Sequence, residues 1–455
     1  MSEARQRVRL GTLLLYGLPA APVGFAFMLG SVYLIKFASD VLLIAPGVIG
    51  VVYGLSRLWD AVTDPVAGYL SDRTRSSLGR RRSWLLASIV PLVAGFALTW
   101  SPPVAEVGDA LVPWVAAGIF LFYTGTTIFT IPHDSFGAEL TTDHHDRTRV
   151  FAVKTAVATL GSILGIGGLV LFYQSDDPRR TASAIAAGVG IAMTLSICLA
   201  VLRLRERPEH QGRGAMRLTS AFRDVFANPH AVPLLFAFFA ENFGVACLGV
   251  ITPFVMEYAL AMADRTPLFI GVYFIPSLLG IPLWVHLSRR IGKRKLWLFA
   301  TATLALAFSC LAFVQPGVEW LAFCLATVAG IGGGCGQVVG PSIQADIIDW
   351  DELRTGERKE GAYFAVWNFM RKSAYGLSAM GTGLMLDAVG FVPNAAQSEA
   401  TQFGMRAIFG LVPGTCYVLG WFALRRLRLD EAEHASIRRT LDDRALAAAR
   451  KSRPA

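Results

Sequence analysis

The sequence predicts an all-α membrane protein of twelve transmembrane helices, built as two pseudo-symmetric six-helix bundles. Three observations predict it. Charged residues make up only 16% of the 455 residues, against about 25% in soluble domains. Apolar runs alternate with short basic clusters, and about 20 apolar residues are enough to cross a hydrocarbon core of roughly 30 Å. A glycine-plus-basic turn occurs twice, six runs apart.

The apolar runs place spans near residues 11–37, 43–70, 83–102, 111–138, 150–173, 181–202, 231–258, 266–288, 296–315, 318–345, 361–388 and 402–424. The domains that follow are a first bundle at 1–203, a cytoplasmic linker at 204–230, a second bundle at 231–424 and a tail at 425–455, read as a cytoplasmic helix or disordered. Arg5, Arg7 and Arg9 precede a first run too long for a cleaved signal peptide, so it reads as a span with its N-terminus inside. An even number of spans returns the C-terminus to the same side.

Orientation follows from Lys and Arg. The 71–82 loop carries Arg73, Arg75, Arg80, Arg81 and Arg82. The linker carries Arg203, Arg205, Arg207, Arg213, Arg217 and Arg223, and the 289–295 loop Arg289, Arg290, Lys293, Arg294 and Lys295. Loops of the other parity are poorer, as at Glu106 and Asp109. Basic loops face the cytoplasm. This placement explains the net charge of +9 and argues against nucleic acid as a partner. The turn at Gly79–Arg82 is echoed at Gly292–Lys295, which points to duplication. The six cysteines lie in apolar runs without metal-ligand spacing and read as small core residues.

Charge at bilayer depth costs about 2.5–3.5 kcal/mol on insertion scales and marks a site by default. The second span carries Asp60, Thr63, Asp64 and Pro65. Asp60 and Asp64, four apart, share a helix face. Pro65 has no N–H for the Ala61 carbonyl, which is left free. Two carboxylates, a hydroxyl and a carbonyl make a hard-oxygen site for a small monovalent cation, Na⁺ or H⁺, with Asp60 and Asp64 the metal ligands if the ion is sodium. The competing reading is a buried pair compensated by an Arg or Lys from another helix.

In the fourth span, Thr127, Thr130 and Asp134 form one polar stripe loosened by Pro132, with His133 read as structural. The seventh span holds Glu241 and Asn242; a surface-facing or helix-satisfied role competes with a functional one. The eleventh carries Trp367, Asn368, Arg371 and Lys372. A buried Lys372 wants a carboxylate, and Asp60 or Asp64 is the natural one; two aspartates and one lysine leave a single negative charge. A gate is expected between Asp72, Arg73, Arg80 and Arg81 and the acids Asp346 and Asp349, followed by Asp351 and Glu352. Local pairing of these acids with Arg354, Arg358 and Lys359 is the alternative.

No G-x-S-x-G elbow, H-E-x-x-H helix or P-loop pattern is found, so catalysis and ATP-driven pumping by this chain are not expected and no cofactor is called for. What remains is coupling to an ion gradient.

The segments Trp59–Pro65, Asp72–Arg82, Ile131–Leu140 and Gln344–Asp349, with the span running to Lys372, resemble the glycoside–pentoside–hexuronide:cation symporters of the major facilitator superfamily, whose best-known member is melibiose permease. The resemblance covers nearly the whole membrane region. It implies the major facilitator fold in a bacterial inner membrane, with both termini cytoplasmic. It implies a cation site at Asp60, Thr63, Asp64 and Thr127, a cation-to-sugar link at Lys372, and a sugar-site role near Lys154. The sugar side departs: Val23 and Gly24 stand where that permease has a Lys-Asp pair, Thr130 replaces its aspartate, and Asp134 its tryptophan. The expected substrate-binding set is therefore Thr130, Asp134, Lys154, Glu241, Trp367, Asn368 and Lys372. The function expected is cation-coupled symport of a sugar, glycoside or uronate by a monomer in the lipid bilayer. A lysolipid-like or other amphiphilic substrate is the alternative, and a non-transporting membrane assembly factor the second.

Overall fold

The computed structural model describes residues 8–103, 106–141, 143–204, 206, 223, 225–357, 359–427, 429 and 431–451. Arg5, Arg7, Arg205, Arg207, Arg213, Arg217 and Arg358, named above, lie outside them. Among the described residues every regular element is helical. The expected first span is three helices, α1 (Leu10–Gly17), α2 (Ala20–Val32) and α3 (Leu34–Asp40). Pro19 lacks an N–H to continue α1, and Pro22 sits in the first turn of α2, where a missing donor costs nothing. The next five are α4 (Pro46–Arg73), α5 (Arg80–Trp100), α6 (Val112–Glu139), α7 (His144–Tyr173) and α8 (Pro178–Arg203). After the linker come α9 (Ala231–Phe254), α10 (Thr266–Leu279), α11 (Ile281–Ile291), α12 (Lys293–Leu311), α13 (Glu319–Thr355), α14 (Glu360–Ala388), α15 (Glu399–Arg426) and α16 (Glu431–Lys451). The expected eighth span is bent by 47° between α10 and α11, at Gly280 with Pro282 just beyond it.

Nine helices among the described residues are long and apolar enough to cross a membrane, ten if the bent pair is one span. The expected count of twelve is not reached on that measure. The two expected spans that fall short are α4 and α14, the helices carrying Arg57, Asp60 and Asp64 and Arg371 and Lys372.

Packing divides the chain into two compact units, Met1–Ala215 with Gly249–Leu268 and Gly376–Met405, and Met216–Leu248 with Phe269–Tyr375 and Arg406–Ala455. In the first unit, helices meet through small residues. A side chain at Gly118 would strike the Thr99 backbone of α5, and one at Gly125 the backbone of Leu92. Such close backbone approach drives helix association where lipid removes the hydrophobic gain. The second unit is centred on Trp284, Trp297, Ile343, Tyr363 and Trp367, and α16 adds Ile437 to that core. The tail is thus a docked helix. The 37-residue α13, about 55 Å at 1.5 Å per residue, outruns a bilayer core and carries Asp346 and Asp349 on its extension.

The two basic turns have the same construction. Gly79 (φ 108°) and Gly292 (φ 95°) adopt left-handed backbone, which only glycine takes at little cost, and each caps the basic helix start that follows. Arg82 donates to the Val201 carbonyl at the end of α8. Arg294 likewise donates to the Arg425 carbonyl at the end of α15. Arg80 pairs with Glu139 at the end of α6, and Lys293 with Asp346 on α13. Basic residues at these turns tie the far helix ends of their own unit.

Candidate cation and substrate site

The predicted cation residues come together in the first unit. Asp60 is 2% exposed and Thr127 2%. The Thr127 hydroxyl lies 2.5 Å from Asp60 Oδ1 and 3.0 Å from Asp64 Oδ1, so one hydroxyl faces both carboxylates. Thr63 Oγ1 donates to the Asp60 carbonyl at 3.2 Å and lies 3.4 Å from Thr127 Oγ1. Trp59 Nε1 donates to Thr124 Oγ1 at 3.0 Å, pinning α4 to α6 beside the cluster. The four-residue spacing from Asp60 to Asp64 aims both carboxylates at α6, and α4 runs on unbroken through Pro65.

Sequence reasoning missed Arg57. It is 8% exposed, and its Nη1 lies 3.4 Å from Asp60 Oδ2. Its guanidinium stacks over Tyr123, 4.5 Å from the ring centre, and over Phe27 at 5.6 Å. Tyr123 in turn donates its hydroxyl to Tyr53. The signal was present: Arg57 is three before Asp60 and seven before Asp64, hence on their face. A cation able to compensate the pair thus sits on the same helix. Two carboxylates and one guanidinium leave one net negative charge. The donor set is carboxylate and hydroxyl oxygen, which suits a hard monovalent cation or a proton in the bridge. Among the described residues no group of three or more His, Cys, Asp or Glu gathers as a metal site.

The substrate residues scatter into smaller groups. Thr130 is half-buried on α6. One turn on, Asp134 is ion-paired with Lys154 of α7, so two residues predicted separately form one unit. His133 is enclosed, stacked on Tyr16 and Phe129 at 4.3 and 4.8 Å, and its Nε2 meets the Tyr16 carbonyl oxygen at 2.9 Å. In the second unit, Glu241 is 8% exposed. It accepts hydrogen bonds from Thr301 Oγ1 at 3.0 Å and Trp297 Nε1 at 3.3 Å, both on one turn of α12. Trp367 is buried and stacked on Phe238 with ring centres 3.9 Å apart. Asn368 is exposed and accepts from Arg371 of the next turn. Lys372 is half-buried.

The charges assigned to a gate have partners inside their own units. Arg81 binds Asp72 and Ser71, and Glu139 joins it at 3.4 Å. Arg73 lies exposed over the Tyr69 ring. Glu206 accepts the backbone N–H groups of Arg80, Arg81 and Arg82 at 2.7–2.8 Å, a carboxylate on a helix N-terminus. Asp346 and Asp349 share His434 of α16, at 3.5 and 3.0 Å, and Arg438 approaches Asp349 at 3.5 Å. Of the local partners expected from sequence, Arg354 stacks on Trp350 and Lys359 lies 3.9 Å from Glu357. The tail helix that supplies His434 could not be located from charge pattern alone.

The chain is 27% identical over 448 residues to an uncharacterized symporter, YjmB, of Bacillus subtilis (strain 168), covering 96% of each chain. It is 23% identical to the sodium-dependent lysophosphatidylcholine symporter 1-A of Danio rerio, covering 94% of this chain and 87% of the other. It is 25% identical to a putative sulfoquinovose importer of Salmonella typhimurium (strain LT2), covering 88% and 85%. A family model described as MFS/sugar transport protein matches residues 15–431, and the chain belongs to that family of major facilitator membrane transporters.

Proposed function

We propose that this chain is a cation-coupled symporter that takes up a sugar, glycoside or uronate by alternating access. The observation that carries the coupling is the Asp60–Thr127–Asp64 bridge with Arg57 beside it. Its net charge of minus one is neutralised by one Na⁺ or one H⁺, and a site neutral only when loaded crosses a low-dielectric interior at far lower cost than an empty one. A putative sulfoquinovose importer among the relatives supports the substrate class, and an uncharacterized symporter among them supports coupled transport. Thr130 and Asp134, on the α6 face that continues from Thr127, and Lys154 of α7, ion-paired with Asp134, are the polar groups proposed to meet substrate hydroxyls or an acidic substituent; a lysine suits a uronate carboxylate. Of the other expected substrate residues, Glu241, Trp367, Asn368 and Lys372 belong to the second unit.

A lysolipid is the second reading, favoured by the sodium-dependent lysophosphatidylcholine symporter among the relatives. Proteoliposomes with an imposed Na⁺ or pH gradient decide both questions. Accumulation of a radiolabelled sugar or uronate above equilibrium under one gradient supports the proposal. Accumulation of a lysophospholipid, with no sugar moved, transfers it to the second reading. Movement of neither, with Asp60 and Asp64 intact, favours an assembly role.

A further inference from the structure

The second unit holds a buried acid outside the cation site. Glu241 of α9 is 8% exposed. Of the other buried acids, Asp60, Asp146 and Asp349 each have an arginine within ion-pair reach. Glu241 differs: among the described residues no lysine, arginine or histidine pairs with it. Its partners are two neutral groups of α12, the Thr301 hydroxyl 3.0 Å from Oε1 and the Trp297 indole N–H 3.3 Å from Oε2.

The other walls bring no cation either. α13 presents Gly336, where a side chain would meet Oε2 at 3.3 Å, and α15 presents Gly420, where one would meet Glu241 Cγ at 3.5 Å. The titratable groups that sense the carboxyl are Tyr273 of α10, Cys335 of α13 and Tyr417 of α15, with Tyr375 of α14 acting on both tyrosines. Tyrosine and cysteine are ordinarily neutral at physiological pH. A carboxylate enclosed by neutral groups keeps most of the cost of losing its water, because hydrogen bonds from neutral donors return only part of it. Adding a proton removes that cost.

The two partners differ in what they can do with a proton. An indole N–H only donates. Trp297 therefore holds Oε2 as an acceptor in either state of the acid, and turns a positive N–H edge toward any metal ion approaching that oxygen. A threonine hydroxyl donates or accepts. Thr301 can donate to Oε1 of the carboxylate and, by rotating its hydroxyl, accept from Oε1–H of the acid. One oxygen is fixed and the other reversible, so both forms fit without a side chain moving. One carboxylate and one hydroxyl also offer too few oxygens for a hard metal cation, which takes about six or more.

We propose that Glu241 is a proton-binding site of the second unit, distinct from the Asp60–Asp64 cation site, with the proton carried on Oε1 and Thr301 as its acceptor. The inference stands on the geometry of the second unit alone and needs neither symport nor a particular substrate. It places a titrating charge beside an expected substrate residue. The Trp297 and Trp367 rings both flank Gly340, 3.4 and 3.7 Å from where a side chain there would begin. Trp367 also stacks on Phe238, one turn before Glu241.

Infrared difference spectroscopy of the full chain in proteoliposomes, taken between neutral and alkaline buffer, reads the carbonyl stretch of a protonated carboxyl directly. Wild type is expected to show a band that is lost in Glu241→Gln. The amide keeps the shape and both hydrogen bonds, and Asp60 and Asp64 are the same in both proteins, so the lost band belongs to Glu241. Thr301→Ala is expected to keep the band and shift it to higher frequency, because the acid loses its acceptor. Glu241→Gln is also expected to melt at or above wild type in neutral buffer, since a neutral isostere replaces a neutral acid. Wild-type and Glu241→Gln spectra with the same bands overturn the proposal. So does a Glu241→Gln protein that fails to fold or melts well below wild type, because the carboxylate charge would then be required. No sugar and no ion gradient is used, so a protein that transports nothing can pass this test and a working symporter can fail it.

Discussion

Arg57→Met tests the charge arithmetic of the cation site. Arg57 and Asp60 are 3.4 Å apart, with side chains 10% and 3% exposed. At an effective dielectric of about 20, the Coulomb attraction at that distance is about 5 kcal/mol. Removing one partner of a buried pair costs about 3–5 kcal/mol, because the other charge stays buried. Methionine keeps the length and the apolar contact with Tyr123 and Phe27, so the change isolates charge. The net charge becomes minus two, and the site gains affinity for cations. If about 2 kcal/mol of the lost attraction is transferred to the bound ion, its affinity rises about 30-fold.

Stability then becomes strongly linked to the ion, by about 2.7 kcal/mol at a hundred times the dissociation constant. In sodium-free neutral buffer the variant is expected to melt well below wild type. Adding Na⁺, or lowering pH if the ion is a proton, is expected to close most of the gap. The sign is fixed: protons or Na⁺ neutralise an excess carboxylate, so stability is regained as pH falls or as sodium rises. Thermal unfolding of purified protein across a matrix of sodium and pH measures it. A constant gap between variant and wild type across the whole matrix refutes the assignment of Arg57 as the resident counter-charge.

Three further outcomes follow from the same site. Asp60→Asn and Asp64→Asn are each expected to abolish uphill accumulation, with Asp60→Asn the less stable because it also strips Arg57 of a buried partner; normal uphill transport by both removes the cation site. Thr127→Val deletes the hydroxyl shared by two carboxylates, worth about 1.5–3 kcal/mol for bonds to charged groups, and is expected to weaken cation binding about ten- to hundredfold in a sodium or proton titration. Asp134→Lys with Lys154→Asp reverses a pair whose aspartate side chain is 43% exposed, so stability should move by about 1 kcal/mol or less; each single reversal is expected to impair uptake and the double to recover part of it, and unimpaired singles take both residues out of the substrate set.

Most of the helices were legible because bilayer depth demands long apolar runs; the breaks within them were not. Pro19 split the first span, but Pro65 and Pro132 left theirs continuous. The difference is tertiary, since neighbouring helices can re-satisfy freed carbonyls in a membrane. The clustering of Asp60, Thr63, Asp64 and Thr127 was legible because the spacing along α4 is local and Thr127 carries a family pattern. Arg57 has an equally local register, but no pattern within one helix says which of the chain's cations compensates a buried carboxylate pair. The pairing of Asp134 with Lys154, the enclosure of Glu241 by Trp297 and Thr301, and the docking of His434 on Asp346 and Asp349 depend on which helices touch. No periodicity within one helix encodes that. The gate expectation shows the same limit from the other side: both charge clusters were visible, but their close partners, Glu139, Glu206, Lys293 and His434, are set by helix ends meeting in space.

The polarity of α4 is itself an argument about function. Arg57, Asp60 and Asp64 would together cost about 8–10 kcal/mol if each faced lipid at mid-membrane. Pairing removes much of that cost, yet an apolar replacement of a buried ion pair is often neutral or more stable still. Stability alone therefore gives no reason to keep three charges within eight residues of a spanning helix. A scaffold with this fold would be better served by leucines at those positions, and an ion-coupled transporter could not work with them. The triple replacement Arg57→Met, Asp60→Leu, Asp64→Leu separates the two cases. It should fold at least as stably as wild type in detergent, insert normally, and show no sodium- or pH-dependent change in melting. A triple variant that fails to insert or fold would mean that the charges hold the bundle together, and the inference from polarity to coupling would fail with it.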